Sequence, residues 1–147
     1  MKRISTRAIL FIENKLAVMK RNKNGQVYFT LAGGGLEEDE TISEGVKREV
    51  LEEFGVNVEP QKLVYEYCDE TSITYYLLCE YKGGKFGTGH GEEFMANNHV
   101  GTYEPMLISK EELKNINLKP DKLKELLLKD LNKLAKNNEN KIKYFTE

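Results

Sequence analysis

The sequence predicts an α/β fold: an α/β/α sandwich in which a central mixed sheet carries helices on both faces. Three observations lead there. Runs rich in β-branched and aromatic residues alternate irregularly with helical segments, a helix with its own start and stop signals lies in the middle of the chain, and a leucine-striped helix closes it.

In order, Arg7–Ile12 and Lys15–Lys20 are β-like runs joined by Glu13-Asn14 and read as a hairpin, and Val27–Leu31 is a short strand. Thr41 followed three residues later by Glu44 is a capping box, so a helix begins near Ile42, and Gly55 is the natural residue to end it. Leu63–Cys68, Ile73–Tyr81 and Thr102–Ser109 read as further strands. Ser109 with Glu112 is a second capping box, and Asp121 is expected to cap a last helix whose Leu123, Leu126, Leu127, Leu131 and Leu134 share one apolar face. That face is expected to pack on the chain's own sheet, with a dimer seam as the alternative. At 147 residues the chain is expected to form one domain over 1–147, with 136–147 a loose tail.

Composition excludes several classes of function. A net charge of −2 offers no broad basic footprint for nucleic acid, and no apolar run reaches membrane-spanning length. Cys68 and Cys79 form neither a CxxC pair nor a metal pattern, so two reduced core thiols and a cytoplasmic location are expected.

The middle helix carries the chemistry. Val46, Val50 and Phe54, with Ile42 beside them, form a stripe that should enter the core, while Glu49, Glu52 and Glu53 make a second face at i, i+3, i+4. Their carboxylates are expected to converge, and the repulsion between them calls for a cation. Gly45, one turn earlier, is expected to leave open space there. Hard divalent ions prefer oxygen ligands, so the helix reads as a holder of Mg²⁺ or Mn²⁺. The preceding Leu31-Ala32-Gly33-Gly34-Gly35 turn lets backbone approach a bound group closely, and a carbonyl such as that of Gly34 is a further candidate ligand.

Gly34, Glu40, Arg48, Glu49, Val50, Glu52, Glu53, Gly55 and Val56 follow the order G-x5-E-x7-R-E-V-x-E-E-x-G-V, which resembles the Nudix box of the Nudix hydrolase superfamily at every fixed position. The superfamily usually has Pro where Ala32 stands, a difference in loop stiffness. The resemblance implies the α/β/α sandwich and Mg²⁺-dependent (or Mn²⁺-dependent) hydrolysis of a nucleoside diphosphate linked to another group. It makes Glu52 and Glu53 the surest metal ligands and catalytic carboxylates, with Glu49 beside them. Arg48 is expected to orient the box carboxylates through charge-assisted hydrogen bonds, and Glu40 to support the loop and helix start.

A second region, Gly83–Val100, is a long Gly-rich connection between predicted strands, and long loops in compact domains are usually functional or disordered. It lacks the ending of a phosphate-binding P-loop. In many Nudix enzymes a glutamate at about this distance beyond the box completes the metal site or acts as the base. The resemblance makes Glu93, slightly ahead of Glu92, the candidate for that role, with two solvated loop carboxylates as the alternative, and the base stays open between Glu93 and a box glutamate. His90 and His99 read as surface histidines. Arg7, Lys20 and Arg21 are candidates to meet a diphosphate, and Tyr28, Phe29, Tyr75, Tyr76 and Tyr103 to stack on a base, although each aromatic is more often core or sheet packing.

For the substrate, the proline that often marks ADP-ribose enzymes has no counterpart, since Pro60 lies too close to the box, and Tyr75 is near a tyrosine position associated with dinucleoside polyphosphate hydrolases. By elimination the expectation is a nucleoside triphosphate pyrophosphatase acting on a small-molecule nucleotide, as monomer or homodimer. The alternatives are an ADP-ribose, nucleotide-sugar or dinucleoside polyphosphate hydrolase. From a different class, a catalytically silent nucleotide-sensing module and a protein-interaction domain using the last helix also fit the fold, but the intact box weighs against both.

Overall fold

The computed structural model describes residues 2–89, 101–135 and 142–146. Strands β1 (Arg3–Ile12) and β2 (Lys15–Lys23) form the expected hairpin, and β3 (Gln26–Thr30) extends it. Both connections are two-residue turns with positive φ throughout: Glu13 and Asn14 at 53° and 65°, then Asn24 and Gly25 at 53° and 80°. Such turns match the right-handed twist of the strands they join. A three-residue strand β4 (Gly33–Gly35) pairs antiparallel with Ser5–Arg7. Its all-glycine sequence gives no strand signal, so only the β1 partner reveals it.

Helix α1 (Ile42–Phe54) begins and ends where the sequence places it. Thr41 and Glu44 form the reciprocal capping box, and Gly55 stops the helix in the left-handed conformation at φ 78°, its amide donating to the Leu51 carbonyl at 3.0 Å. Strands β5 (Val56–Cys68) and β6 (Ser72–Gly84) then form a long antiparallel pair. Each is longer than its predicted apolar run, because register irregularities around Val58, Lys62 and Tyr65 let the ladder pass Pro60.

Strand β7 (Thr102–Ile108) returns to pair with β2, followed by α2 (Lys110–Asn115) and α3 (Asp121–Ala135). Asp121 proves to be the first helical residue rather than a cap, and its carboxylate receives Lys119 Nζ at 2.9 Å. The expectation of a loose tail is also corrected for its final residues. Strand β8 (Lys143–Thr146) pairs parallel with β5, and Phe145 lies against Tyr65, Tyr67 and Tyr76. Ile142, Tyr144 and Phe145 break an otherwise polar tail, but so short a run does not say where it docks, and a sheet edge already formed supplies the partner.

The sheet runs β3-β2-β1-β6-β5-β8, with β4 on β1 and β7 on β2. The β1–β6 and β5–β8 pairs are parallel and the others antiparallel, so the sheet is mixed as predicted. Alternation along the strands builds two cores. Ala8, Leu10, Ala17, Met19 and Leu77 meet Val46, Val50 and Phe54 of α1, whereas Ile9, Val18, Tyr65 and Tyr76 meet Leu113 of α2 and Leu123, Leu127, Leu131 and Leu134 of α3. The leucine stripe is therefore core, as the preferred reading had it, and not a seam left for a second copy. Burying a side chain of this size contributes roughly 1.5–3 kcal/mol, which is what holds each helix to its face.

Candidate functional site

Glycines 33 to 35, the start of α1 and its acidic face come together against β1. Gly33 (φ 155°) runs so close to β1 that an added Cβ would lie 2.0 Å from the Thr6 carbonyl oxygen. At Gly34 a Cβ would lie 2.9 Å from Glu49 Oε1. These glycines are needed for close approach, and one of the groups approached is a box carboxylate.

Arg48 organises the acids. Its Nε and Nη2 donate to the two Glu40 oxygens at 2.8 and 3.0 Å, a bidentate pair, while Nη1 reaches Glu49 Oε1 at 2.9 Å and Glu52 Oε2 at 3.4 Å. Nη2 also donates to the Gly35 carbonyl at 3.3 Å, tying the helix to the glycine turn. Glu40 receives the Glu37 amide at 2.9 Å, so it fixes the loop that leads into α1. The Arg48 guanidinium, assisted by that amide, holds the Glu40 carboxyl below its ordinary value against the opposing effect of burial. In return, the hydrogen bond to Glu40 raises the pKa of Arg48.

The acidic face differs from its expected form. Glu49 and Glu53 are buried at 7% and 5% exposure, and only Glu52 reaches solvent to any extent, with its side chain 40% exposed. Glu53 Oε2 accepts the Gly33 amide at 2.9 Å. Among the described residues no three His, Cys, Asp or Glu side chains are gathered closely enough to hold a metal ion. The mutual repulsion predicted for this face is offset by a guanidinium and a backbone amide, which draw the carboxylates in different directions. Gly45 is likewise corrected: instead of facing open space it is packed, and a Cβ there would meet Leu36 Cδ2 at 2.4 Å.

The donor set still suits a hard divalent cation. It is oxygen-rich, combining the Glu49, Glu52 and Glu53 carboxylates with the carbonyls of a glycine turn, and the missing side chain of Gly34 leaves room at Glu49. Every buried side-chain oxygen and nitrogen among the described residues has a hydrogen-bond partner.

Other candidates fall in different places. Arg7 donates to the Leu31 carbonyl and shares its sheet face with Ile9 and Tyr76, so its guanidinium is engaged in holding the glycine turn. Arg21 lies between two aromatic rings, its guanidinium carbon 5.4 Å from the Tyr28 centroid and 4.3 Å from that of Tyr103, with Nη2 donating to the Tyr103 hydroxyl. The three form one cross-strand row, since Arg21 pairs with Tyr28 of β3 and Tyr103 of β7. Phe29 and Tyr76 are core residues. Glu92, Glu93, His90 and His99 lie outside the described residues.

Sequence reasoning missed the turn that precedes that segment. Phe86 packs on Phe54 with centroids 4.9 Å apart, and the Gly87 amide donates to the Phe54 carbonyl at 2.8 Å. The Gly-x-Gly pattern of Gly87-Thr88-Gly89 was a signal for close backbone approach, but nothing local indicated which element it approaches.

Comparison with known proteins gives the family and the fold. The chain matches the NUDIX domain family over residues 1–129. It is 31% identical over 61 residues to Phosphatase NudJ of Escherichia coli (strain K12), a stretch that is 42% of this chain and 40% of that protein. The chain thus spans well under half the length of the curated relatives it matches. Among solved structures, an ADP-ribose pyrophosphatase from Streptococcus suis superposes with a TM-score of 0.65 at 22% identity over 100% of both chains. A NUDIX hydrolase from Nitrosomonas europaea does so with a TM-score of 0.75 at 19% identity, covering 99% of this chain and 80% of that one. At such identities these structures speak to fold.

Proposed function

The chain belongs to the Nudix hydrolase family, and on that footing we propose that it hydrolyses a small nucleotide in which a nucleoside diphosphate is linked to a further group, with Mg²⁺ or Mn²⁺ as cofactor. The observation that carries this reading is the Arg48 hub, which holds Glu40, Glu49 and Glu52 around a glycine turn whose Gly33 amide receives Glu53.

Glu49, Glu52 and Glu53 would hold the cation, together with a carbonyl of the Gly34 turn. When bound, a divalent ion supplies charge screening for the diphosphate and lowers the pKa of the attacking water. The chain's own residues do the rest. Arg48 orients the carboxylates it touches through charge-assisted hydrogen bonds. The proton of the attacking water passes to a box glutamate or to Glu93. The row Tyr28–Arg21–Tyr103 offers flat aromatic surface and a cation, which suits a nucleobase and its phosphates.

A nucleoside triphosphate is the first substrate to try, and ADP-ribose, nucleotide sugars and dinucleoside polyphosphates are the alternatives. The two free cysteines are consistent with the reducing cytoplasm. The test is phosphate and pyrophosphate release with Mg²⁺ across that panel, with nucleotide products identified and Glu53→Gln run in parallel. Turnover lost in a folded Glu53→Gln protein supports the reading. A chain that binds nucleotides without turning any of them over would be a sensing module.

A further inference from the structure

We propose that the Phe86–Gly89 turn is a brace on the last turn of α1, and that Gly89 is a positioning residue for Glu52 and Glu53. The inference rests on the reading of those glutamates as cation ligands. An α-helix leaves its last carbonyls without intrahelical partners, and here the first and last of the four receive amides from residues beyond the helix. The Leu51 carbonyl receives the Gly55 amide and the Phe54 carbonyl receives the Gly87 amide. The two between them, on Glu52 and Glu53, lie directly beneath Gly89: a Cβ added to Gly89 would stand 2.5 Å from Glu52 O and 2.4 Å from both C and O of Glu53.

Such distances have no remedy in side-chain motion, because all three atoms belong to the backbone of the box helix. The turn is fixed on its other sides as well. Phe86 joins the α1 core through Phe54, and Thr88 Oγ1 donates to the Lys85 carbonyl at 2.6 Å. A Cβ on Gly55 would lie 2.2 Å from Thr88 Oγ1 and 2.6 Å from the Thr88 carbonyl carbon, so the brace can sit against the helix end only because Gly55 has no side chain. The helix end carrying two acidic box residues is thereby gripped by a segment that follows it in the chain by more than thirty residues. Free fraying of that last turn would let Glu53 leave the Gly33 amide, and the brace opposes it.

The test compares wild type with Gly89→Ala, measuring the Mn²⁺ dissociation constant of the protein without nucleotide, kcat and KM on the best substrate, hydrogen exchange at the Gly55 and Gly87 amides, and Tm. Gly25→Ala serves as control, because Gly25, unlike Gly89, has positive φ, yet nothing lies within 4 Å of an added Cβ, so it strains the backbone without touching the brace. The expected result for Gly89→Ala is Mn²⁺ binding weakened about tenfold, kcat lowered about tenfold with KM within threefold, and faster exchange at both amides, while Gly25→Ala changes none of these. Should Gly89→Ala fail to fold, Phe86→Leu loosens the same turn more gently and is expected to weaken Mn²⁺ binding about threefold. Mn²⁺ affinity within twofold of wild type in whichever variant folds, despite faster exchange at Gly87, overturns the proposal. Absence of wild-type turnover on every nucleotide, with Mn²⁺ affinity still lost in Gly89→Ala, would fail the hydrolase reading and leave the brace supported.

Discussion

Replacing Arg48 by Gln removes the charge at the centre of the site while keeping the length and helix propensity of the side chain. In the wild-type protein Arg48 makes three charged contacts of 3.0 Å or less, two to Glu40 and one to Glu49. The partner side chains are 12% and 9% exposed and that of Arg48 is 23% exposed, so water replaces those contacts poorly. Charged hydrogen bonds contribute roughly 1.5–3 kcal/mol each, and breaking a buried pair costs about 3–5 kcal/mol. The amide of Gln and partial relaxation of Glu40 toward solvent recover some of this, which places the expected loss at about 3 kcal/mol at pH 7. At about 2–4 °C per kcal/mol for a chain of this size, Tm should fall by roughly 6–12 °C.

The pH dependence sharpens that test. Glu40 has a folded pKa depressed below 4.5, so its contribution is present above that value and is lost as pH falls through the folded pKa. Arg48 has its pKa raised and stays charged over the whole range. Urea unfolding of both proteins from pH 7 to pH 3 should therefore show a gap that narrows below about pH 4.5. A loss under about 1 kcal/mol at pH 7, or a gap of constant size down to pH 3, would refute the account of Arg48 as the charge that holds the acids.

Other outcomes follow from residues outside the box. Asp130 is 1% exposed and accepts the Tyr65 hydroxyl at 2.8 Å and Lys143 Nζ at 2.8 and 2.9 Å, so it clamps β8 to α3. Asp130→Ala should cost about 3–4 kcal/mol and speed amide exchange at Tyr144–Thr146, and exchange as slow as wild type would show that the β5 ladder alone retains the strand. Burial pushes the Cys79 thiol up to about 12, whereas Cys68 is only half-buried, so a thiol reagent at pH 8 should label Cys68 quickly and Cys79 only after unfolding. Equal labelling rates in the native protein would contradict that burial. Cys79 and Tyr76, both pushed up to about 12 by burial from ordinary values of 9 and 10, stabilise the fold below those values. Their contribution is lost as pH rises toward 12, and a urea midpoint that stays flat across pH 9–12 would argue against it.

What the sequence determined by itself was local. The limits of α1 follow from Thr41, Glu44 and Gly55, whose effects act within four residues or through a single φ angle, and the first hairpin turn follows from Glu13-Asn14 for the same reason. The apolar stripes of α1 and α3 were legible because helical period is a property of the chain alone. Spacing also put Glu49, Glu52 and Glu53 on one face of the helix.

Only the tertiary structure decided how those carboxylates are held. Whether Glu49 and Glu53 are buried, and whether their charge is offset by Arg48 and the Gly33 amide, depends on a glycine turn that β1 positions from outside the helix. The same holds for Arg21, which meets Tyr103 across 82 residues of sequence, for β8, which needs the edge of β5, and for Gly45 and Gly89, whose missing side chains matter only because other backbone or side-chain atoms arrive beside them. Such contacts join segments whose sequences carry no mutual periodicity. Their free energy appears only once the chain has paid the entropy of bringing them together.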